Sequence, residues 1–269
     1  MLVYAAAMSH APGITAWPKA APTEQRARLD EAFERLAADL HAAAAETLVV
    51  LTSEHWNNFF LDHVGAFCVG RATAYSGPVE PFLQIEGREV AGDPELAGRI
   101  VTAAYERGFE PSFSYELSFD HGTMLPLHKL HVNGTRVVPV FFNTLVDPQP
   151  SAARAYDFGA IIGDVLRASG ERVALIATGG MSHDPGELRH GTIDSAFDRR
   201  FIEQMERGDA AALRSYSRAD FAAAGAGAFE LLAWIALQGA LRDAPGRTLA
   251  YEAVVPWATG IGLMEFDLK

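Results

Sequence analysis

Three apolar runs in this chain of 269 residues end in a histidine. Leu2-Val3-Tyr4-Ala5-Ala6-Ala7-Met8 runs into Ser9-His10, and Thr47-Leu48-Val49-Val50-Leu51-Thr52 into Ser53-Glu54-His55. Arg172-Val173-Ala174-Leu175-Ile176 leads through a glycine pair, Gly179-Gly180, to His183. One histidine in a loop is an ordinary polar surface residue. Three at the ends of strand-like runs suggest chemistry, because imidazole ligates metals and titrates near neutral pH. A carboxylate joins them as a candidate. Glu230 stands in the first turn of "AGAFELLAWIALQGALRD", where Phe229, Leu231, Leu232, Trp234, Ile235 and Leu237 make a helix apolar nearly all round and therefore buried. Burying a carboxylate is costly unless it is paired or binds a metal. Turned to solvent, the same residue would only favour the helix N-terminus electrostatically. The sequence leaves both readings open.

Two neutral imidazoles and one carboxylate form the facial triad of non-haem Fe(II) oxygenases, which keeps coordination positions free for substrate and dioxygen. His10, His55 and Glu230 have that chemistry. Catalytic zinc uses the same ligand types, so they do not identify the metal, although no HExxH motif is present. His183 and His121 suit proton transfer. The glycine pair lets backbone pass close to a site at His183, and in Asp120-His121-Gly122 the aspartate would orient the ring or cap a turn. His41, His63, His128, His131 and His190 have no comparable context and read as structural or rim residues, with His128 and His190 within reach of a bound substrate. Trp56, Asn57, Asn58 and Phe59, which follow His55, line a pocket or pack in the core.

The elements that would position these residues alternate. Thr23 to Ala44 places Leu29, Phe33, Leu36 and Leu40 on one helical face. Asp93-Pro94 is an N-cap followed by proline at the first helical position, and Gly108 ends that helix. Arg136 to Phe142 reads as a strand, and "AYDFGAIIGDVLRAS" from Ala155 as the helix before the strand that leads to His183. Alternation of this kind predicts an α/β fold: a mostly parallel central sheet with helices on both faces. Such sheets bind ligands beyond the carboxyl ends of their strands, where His10, His55 and His183 fall. No repeat or linker divides the chain, so residues 1–269 read as a single catalytic domain, with "AAAGAGAFE" as the expected mobile loop.

Composition narrows the partners. A hydrophobic fraction of 49% supports a large core, and a formal charge of −12 disfavours nucleic acid and anionic membrane surfaces, which leaves a small substrate. Cys68 is the one cysteine, so an internal disulfide is excluded and a reducing compartment is expected. The first residues carry no basic signal-peptide region, and no uncharged stretch reaches the roughly 18 residues of a membrane span. The expected location is the cytoplasm.

Taken in order, Ser9-His10 with Pro12, Glu54-His55-Trp56-Asn57-Asn58-Phe59-Phe60, Asp120-His121-Gly122 with Pro126-Leu127, Gly179-Gly180-Met181-Ser182-His183, Glu230-Leu231-Leu232-Ala233-Trp234 and the terminal "VPWATGIG" carry a resemblance. The chain resembles the catalytic subunits of class III extradiol ring-cleavage dioxygenases, the superfamily of the protocatechuate 4,5-dioxygenase β chain and 2,3-dihydroxyphenylpropionate 1,2-dioxygenase. The resemblance spans nearly the whole sequence, with Glu54 where relatives more often carry aspartate. It implies that His10, His55 and Glu230 bind Fe(II) and that His183 and His121 exchange protons with the substrate. It further implies a small aromatic diol and O2 as substrates, and either a homo-oligomer or a small capping subunit. His183 is then the base and His121 the acid, roles that the sequence alone leaves interchangeable. The rival readings are a zinc-dependent hydrolase with the same ligands and a non-catalytic partner subunit.

Overall fold

In the computed structural model, which describes residues 1–186 and 189–268, ten strands form two sheets. The strands are β1 (Leu2–Met8), β2 (Thr47–Ser53), β3 (Phe67–Gly70), β4 (Ala74–Gly77), β5 (Arg88–Ala91), β6 (Ser112–Ser114), β7 (Arg136–Phe142), β8 (Val173–Thr178), β9 (Gly246–Val254) and β10 (Thr259–Phe266). Eight of them form one sheet in the order β6-β3-β7-β2-β8-β1-β10-β9, and β4 and β5 pair separately. The centre, β7-β2-β8-β1, is parallel, as alternating strands and helices predict. The flanks depart from that pattern. β3 runs antiparallel to β7, and β10 antiparallel to both β1 and β9. For β9 and β10 the cause is local: only a short 3-10 turn, Val255–Trp257, and Ala258 separate them, too few residues for a parallel crossover.

Alternate residues of each central strand serve two cores. Val49 and Leu51 face the helices Pro94–Glu106, Ala152–Ala168 and Leu231–Ala240, while Leu48 and Val50 face Thr23–Ala42 and His121–Lys129. A strand buried on both faces reads as a continuous apolar run, which is why β1, β2, β7 and β8 are legible in the sequence. Asp93 caps its helix by accepting from the Leu96 N–H, and Gly108 adopts a left-handed φ of 74° just beyond that helix. Cys68 fills the core, and burial pushes its thiol up to about 11. The "AAAGAGAFE" stretch is ordered as the end of the helix Arg218–Ala224 and the 3-10 turn Ala226–Glu230.

The helix that follows Glu230 is held by backbone contact. A methyl group on Gly159 would lie 1.8 Å from the Ala236 carbonyl oxygen, and one on Gly163 would lie 2.2 Å from that of Ala240. The helices Ala152–Ala168 and Leu231–Ala240 therefore touch with no side chain between them. Alanine ordinarily stabilises a helix interior by about 1 kcal/mol over glycine. At Gly159 the overpacking should win, so Gly159→Ala is expected to lower stability by about 1–3 kcal/mol in urea unfolding. A gain in stability would show that the two helices have room to part.

Candidate active site

The sheet order brings the three strand-end histidines together. β2, β8 and β1 are adjacent and parallel, so their carboxyl ends share one edge, and His55, His183 and His10 follow them. His121 opens the helix His121–Lys129 beside that edge, and Glu230 arrives at the N-terminus of Leu231–Ala240. Glu230 is buried and not turned to solvent. Its Oε1 lies 3.3 Å from His55 Nε2 and 3.6 Å from His183 Nε2, and its Oε2 lies 3.0 Å from His10 Nε2. Oε2 also accepts the Gly180 N–H at 2.5 Å.

Each imidazole is fixed through its other nitrogen. His55 Nδ1 donates to Asp120 Oδ2 at 3.0 Å, and His183 Nδ1 to the Met181 carbonyl at 2.8 Å. His10 Nδ1 lies 3.0 Å from Thr178 Oγ1, whose own hydroxyl is placed to donate to Thr52 Oγ1 or the Gly122 carbonyl. Each ring is thus anchored at Nδ1, and in all three Nε2 faces the same space. This is how metal-binding histidines are ordinarily oriented. His10 Nε2 supplies the direct test of fit. It is buried and, although close to Glu230, sits out of line for a hydrogen bond, so it has no partner. A nitrogen left in that state costs about 1–3 kcal/mol unless something accepts its lone pair, and a divalent cation would. His10, His55 and His121 also bring one ring nitrogen each within 4.8 Å of one another, so a three-imidazole site shares two of its members with the set that includes Glu230.

Electrostatics couple these groups. Burial alone would raise the Glu230 carboxyl, but the His10 and His183 rings hold it well below the usual carboxylate range. Burial opposes charge on His55 too, yet Asp120 and Glu230 keep its pKa well above the ordinary imidazole value. His183 is raised in the same way, against burial, by Glu230. His121 goes down instead, through burial and the neighbouring His55, although its Nδ1 meets Glu80 Oε1 at 2.5 Å.

Glycines answer for the close approach around His183. A methyl group on Gly227 would lie 2.1 Å from the His183 ring, and one on Gly179 2.8 Å from Glu230 Cβ. Ser182 anchors the loop, its N–H and hydroxyl donating to buried Asp198, which Tyr251 also meets at 2.7 Å. Asp120 caps a turn, one of its two expected roles, and does not orient His121. Its Oδ1 caps the helix at Gly122 N–H and its Oδ2 holds the His55 backbone N–H and ring, so the residue that orients His121 is Glu80. No sequence signal marked Glu80 or Thr178.

The five residues border a cleft of about 420 Å3, a volume suited to a small ligand. Trp257, from the VPWATGIG stretch, and Trp17, which the sequence did not single out, form part of its wall, and His190 reaches the rim. His128 is exposed and does not line it. Trp56 and Phe59 line a separate cavity of about 30 Å3 beside Cys68. Asn57 and Asn58 tie their loop to the Ser118 carbonyl, and Glu54 accepts the N–H groups of both.

Comparison with known proteins agrees in extent and kind. The family model for the catalytic LigB subunit of aromatic ring-opening dioxygenase matches residues 4–262. A 2,3-dihydroxyphenylpropionate/2,3-dihydroxicinnamic acid 1,2-dioxygenase of Burkholderia vietnamiensis is 30% identical over 270 residues, covering 81% of this chain and 83% of its own. The protein of that name from Paraburkholderia phymatum is 30% identical over 287 residues, covering 87% and 88%. The crystal structure of an uncharacterized Escherichia coli K12 protein shares the fold, with a TM-score of 0.61 over 98% of this chain and 100% of that one, at 15% identity.

Asp120→Asn is expected to weaken divalent-metal binding by about 10–100-fold, because the His55 ring loses the carboxylate that fixes its tautomer. Asparagine still caps a helix, so thermal stability should change little. Anaerobic metal titration beside a melting curve checks both; undiminished affinity would mean that His55 does not face a metal.

Proposed function

The chain belongs to the LigB family of aromatic ring-opening dioxygenases, and from that premise we propose that it is an Fe(II)-dependent extradiol enzyme cleaving a catechol-type diol next to its two hydroxyls. We assign the metal to His10, His55 and Glu230, with residues 1–269 as one catalytic domain. The observation that carries this is the convergence of three Nε2 atoms on one buried carboxylate. Contacts favour Glu230 over His121 as the third ligand. The Glu230 oxygens lie 3.0 Å from His10 Nε2 and 3.3 Å from His55 Nε2, whereas His121 Nδ1 is engaged by Glu80. When bound, Fe(II) supplies open positions for both hydroxyls and for dioxygen, and the path for electrons between them.

The chain's own residues handle protons and water. A diol must lose protons to chelate. His183 Nε2, with Nδ1 tied to the Met181 carbonyl, is the base, and Glu230 raises its affinity for the proton it takes. His121, held by Glu80 and lowered by burial, gives up a proton readily and is the acid. Trp257 and the turn beside it close one side of the cleft against solvent. Among the described residues no helix is long and apolar enough to cross a membrane, and we place the enzyme in the cytoplasm on its single buried cysteine. We take it to turn over without a capping subunit, so the purified chain should be fully active.

The direct test is oxygen consumption by the chain loaded anaerobically with Fe(II), across a panel of catechols. One O2 per diol with a yellow ring-fission product is expected; stoichiometric zinc with no oxygen uptake would instead indicate a hydrolase, and no tightly held metal a scaffold. His183→Ala is expected to keep iron and diol binding yet lose turnover by about 100-fold or more, measured in single turnovers on one preparation. Loss of iron would move His183 into the ligand set. Iron affinity should fall with pH, since protons compete for the ligand nitrogens. Because His55 holds its proton above the ordinary imidazole range, the fall should begin above about pH 6.5.

A further inference from the structure

The cleft has imidazoles but no permanent cation. Apart from its histidines and Glu230 its walls are neutral, with Trp17, Leu145, Pro185, Pro256 and Trp257 supplying apolar surface. No lysine or arginine is among the described residues that line it. Arg189 is committed elsewhere. Its Nε meets Asp184 Oδ2 at 2.9 Å, and its two terminal nitrogens donate to the Ala223 and Ala222 carbonyls at 3.0 Å each. Of the acids buried nearby, Asp184 is paired with Arg189, and Asp120 and Glu230 are held by the histidines. A substrate carboxylate would thus lose water here against walls that offer it no lysine or arginine, which is unfavourable.

One apolar feature at the cleft stays exposed. Trp17 stands at the cleft 57% exposed, its ring stacked on Phe82 at 5.8 Å and 9°, and Phe82 is 46% exposed. Its backbone is pinned, because Trp257 Nε1 donates to the Trp17 carbonyl at 3.0 Å. A paired aromatic surface, held in place at the wall of a binding cleft, suits coverage by an apolar group of the ligand.

We propose that the diol taken by this cleft carries an uncharged alkyl or aryl ring substituent that packs on Trp17, and that Trp17 sets this preference. The inference rests on the ring-cleavage reading above and sets this chain apart from relatives whose names carry a propionate. A matched pair tests it: 3-propylcatechol against 3-(2,3-dihydroxyphenyl)propionate, equal in chain length and different in charge. Dissociation constants are measured anaerobically on the Fe(II)-loaded chain, and kcat/KM in air. The neutral diol is expected to bind at least about tenfold more tightly and to show the higher kcat/KM, a difference of about 1.4 kcal/mol. Trp17→Ala should shrink the ratio to about twofold or less, and Trp17→Phe should keep it. A ratio below tenfold, or one that survives Trp17→Ala, overturns the proposal. Preferential binding with no ring cleavage would sink the dioxygenase reading and leave this one standing, while cleavage without preference would do the reverse.

Discussion

A carboxylate taken out of water must be compensated, and in this protein the compensation organises everything near it. Glu230 accepts one backbone N–H and has three imidazoles within 3.6 Å, and only such neighbours keep it ionised against the effect of burial. The same contact raises His55 and His183, so the charges of the cluster cannot be assigned one residue at a time. A divalent cation at the meeting point of the Nε2 atoms would satisfy the carboxylate and the orphaned His10 nitrogen together. The donors are already aimed at one point, which is what pre-organised binding requires.

The fold meets that requirement by adjacency and by omission. Neighbouring parallel strands end at one level, so residues some 45 and 130 positions apart in the chain, His10, His55 and His183, need only short loops to meet. Glu230 comes from the opposite direction, on a helix whose position is set by glycine contacts with its neighbour. Where other chains would place a side chain, Gly179 and Gly227 leave the space that Glu230 and His183 occupy. Conversion of these glycines would therefore disturb the site through backbone displacement.

The central strands and most of the site's polar residues were legible in the sequence, for different reasons. β1, β2, β7 and β8 are buried on both faces and show as unbroken apolar runs, while β3, β4 and β6 are three or four residues long and too short for any periodicity to emerge. His10, His55 and His183 stood out because each follows a run. Glu80 and Thr178 did not, because their roles exist only in three dimensions: a carboxylate 41 residues before His121 and a hydroxyl 168 residues after His10. Asp120 was legible in part: it caps a turn, one of its two expected roles, while its second oxygen holds His55 and not its sequence neighbour His121. The aromatic residues after His55 do line a pocket, one of the two readings open for them, but a smaller one than the cleft, whose wall carries Trp17 instead.

The central claim is that Glu230, and not His121, completes the metal site with His10 and His55. It is tested most directly by measuring Fe(II) content, after anaerobic loading and desalting, of Glu230→Ala and His121→Ala beside the unaltered chain, with circular dichroism to establish that each is folded. The account predicts that His121→Ala retains its iron and Glu230→Ala loses most of it. Iron kept by folded Glu230→Ala and lost from His121→Ala would contradict it, and would make the three-imidazole cluster the metal site.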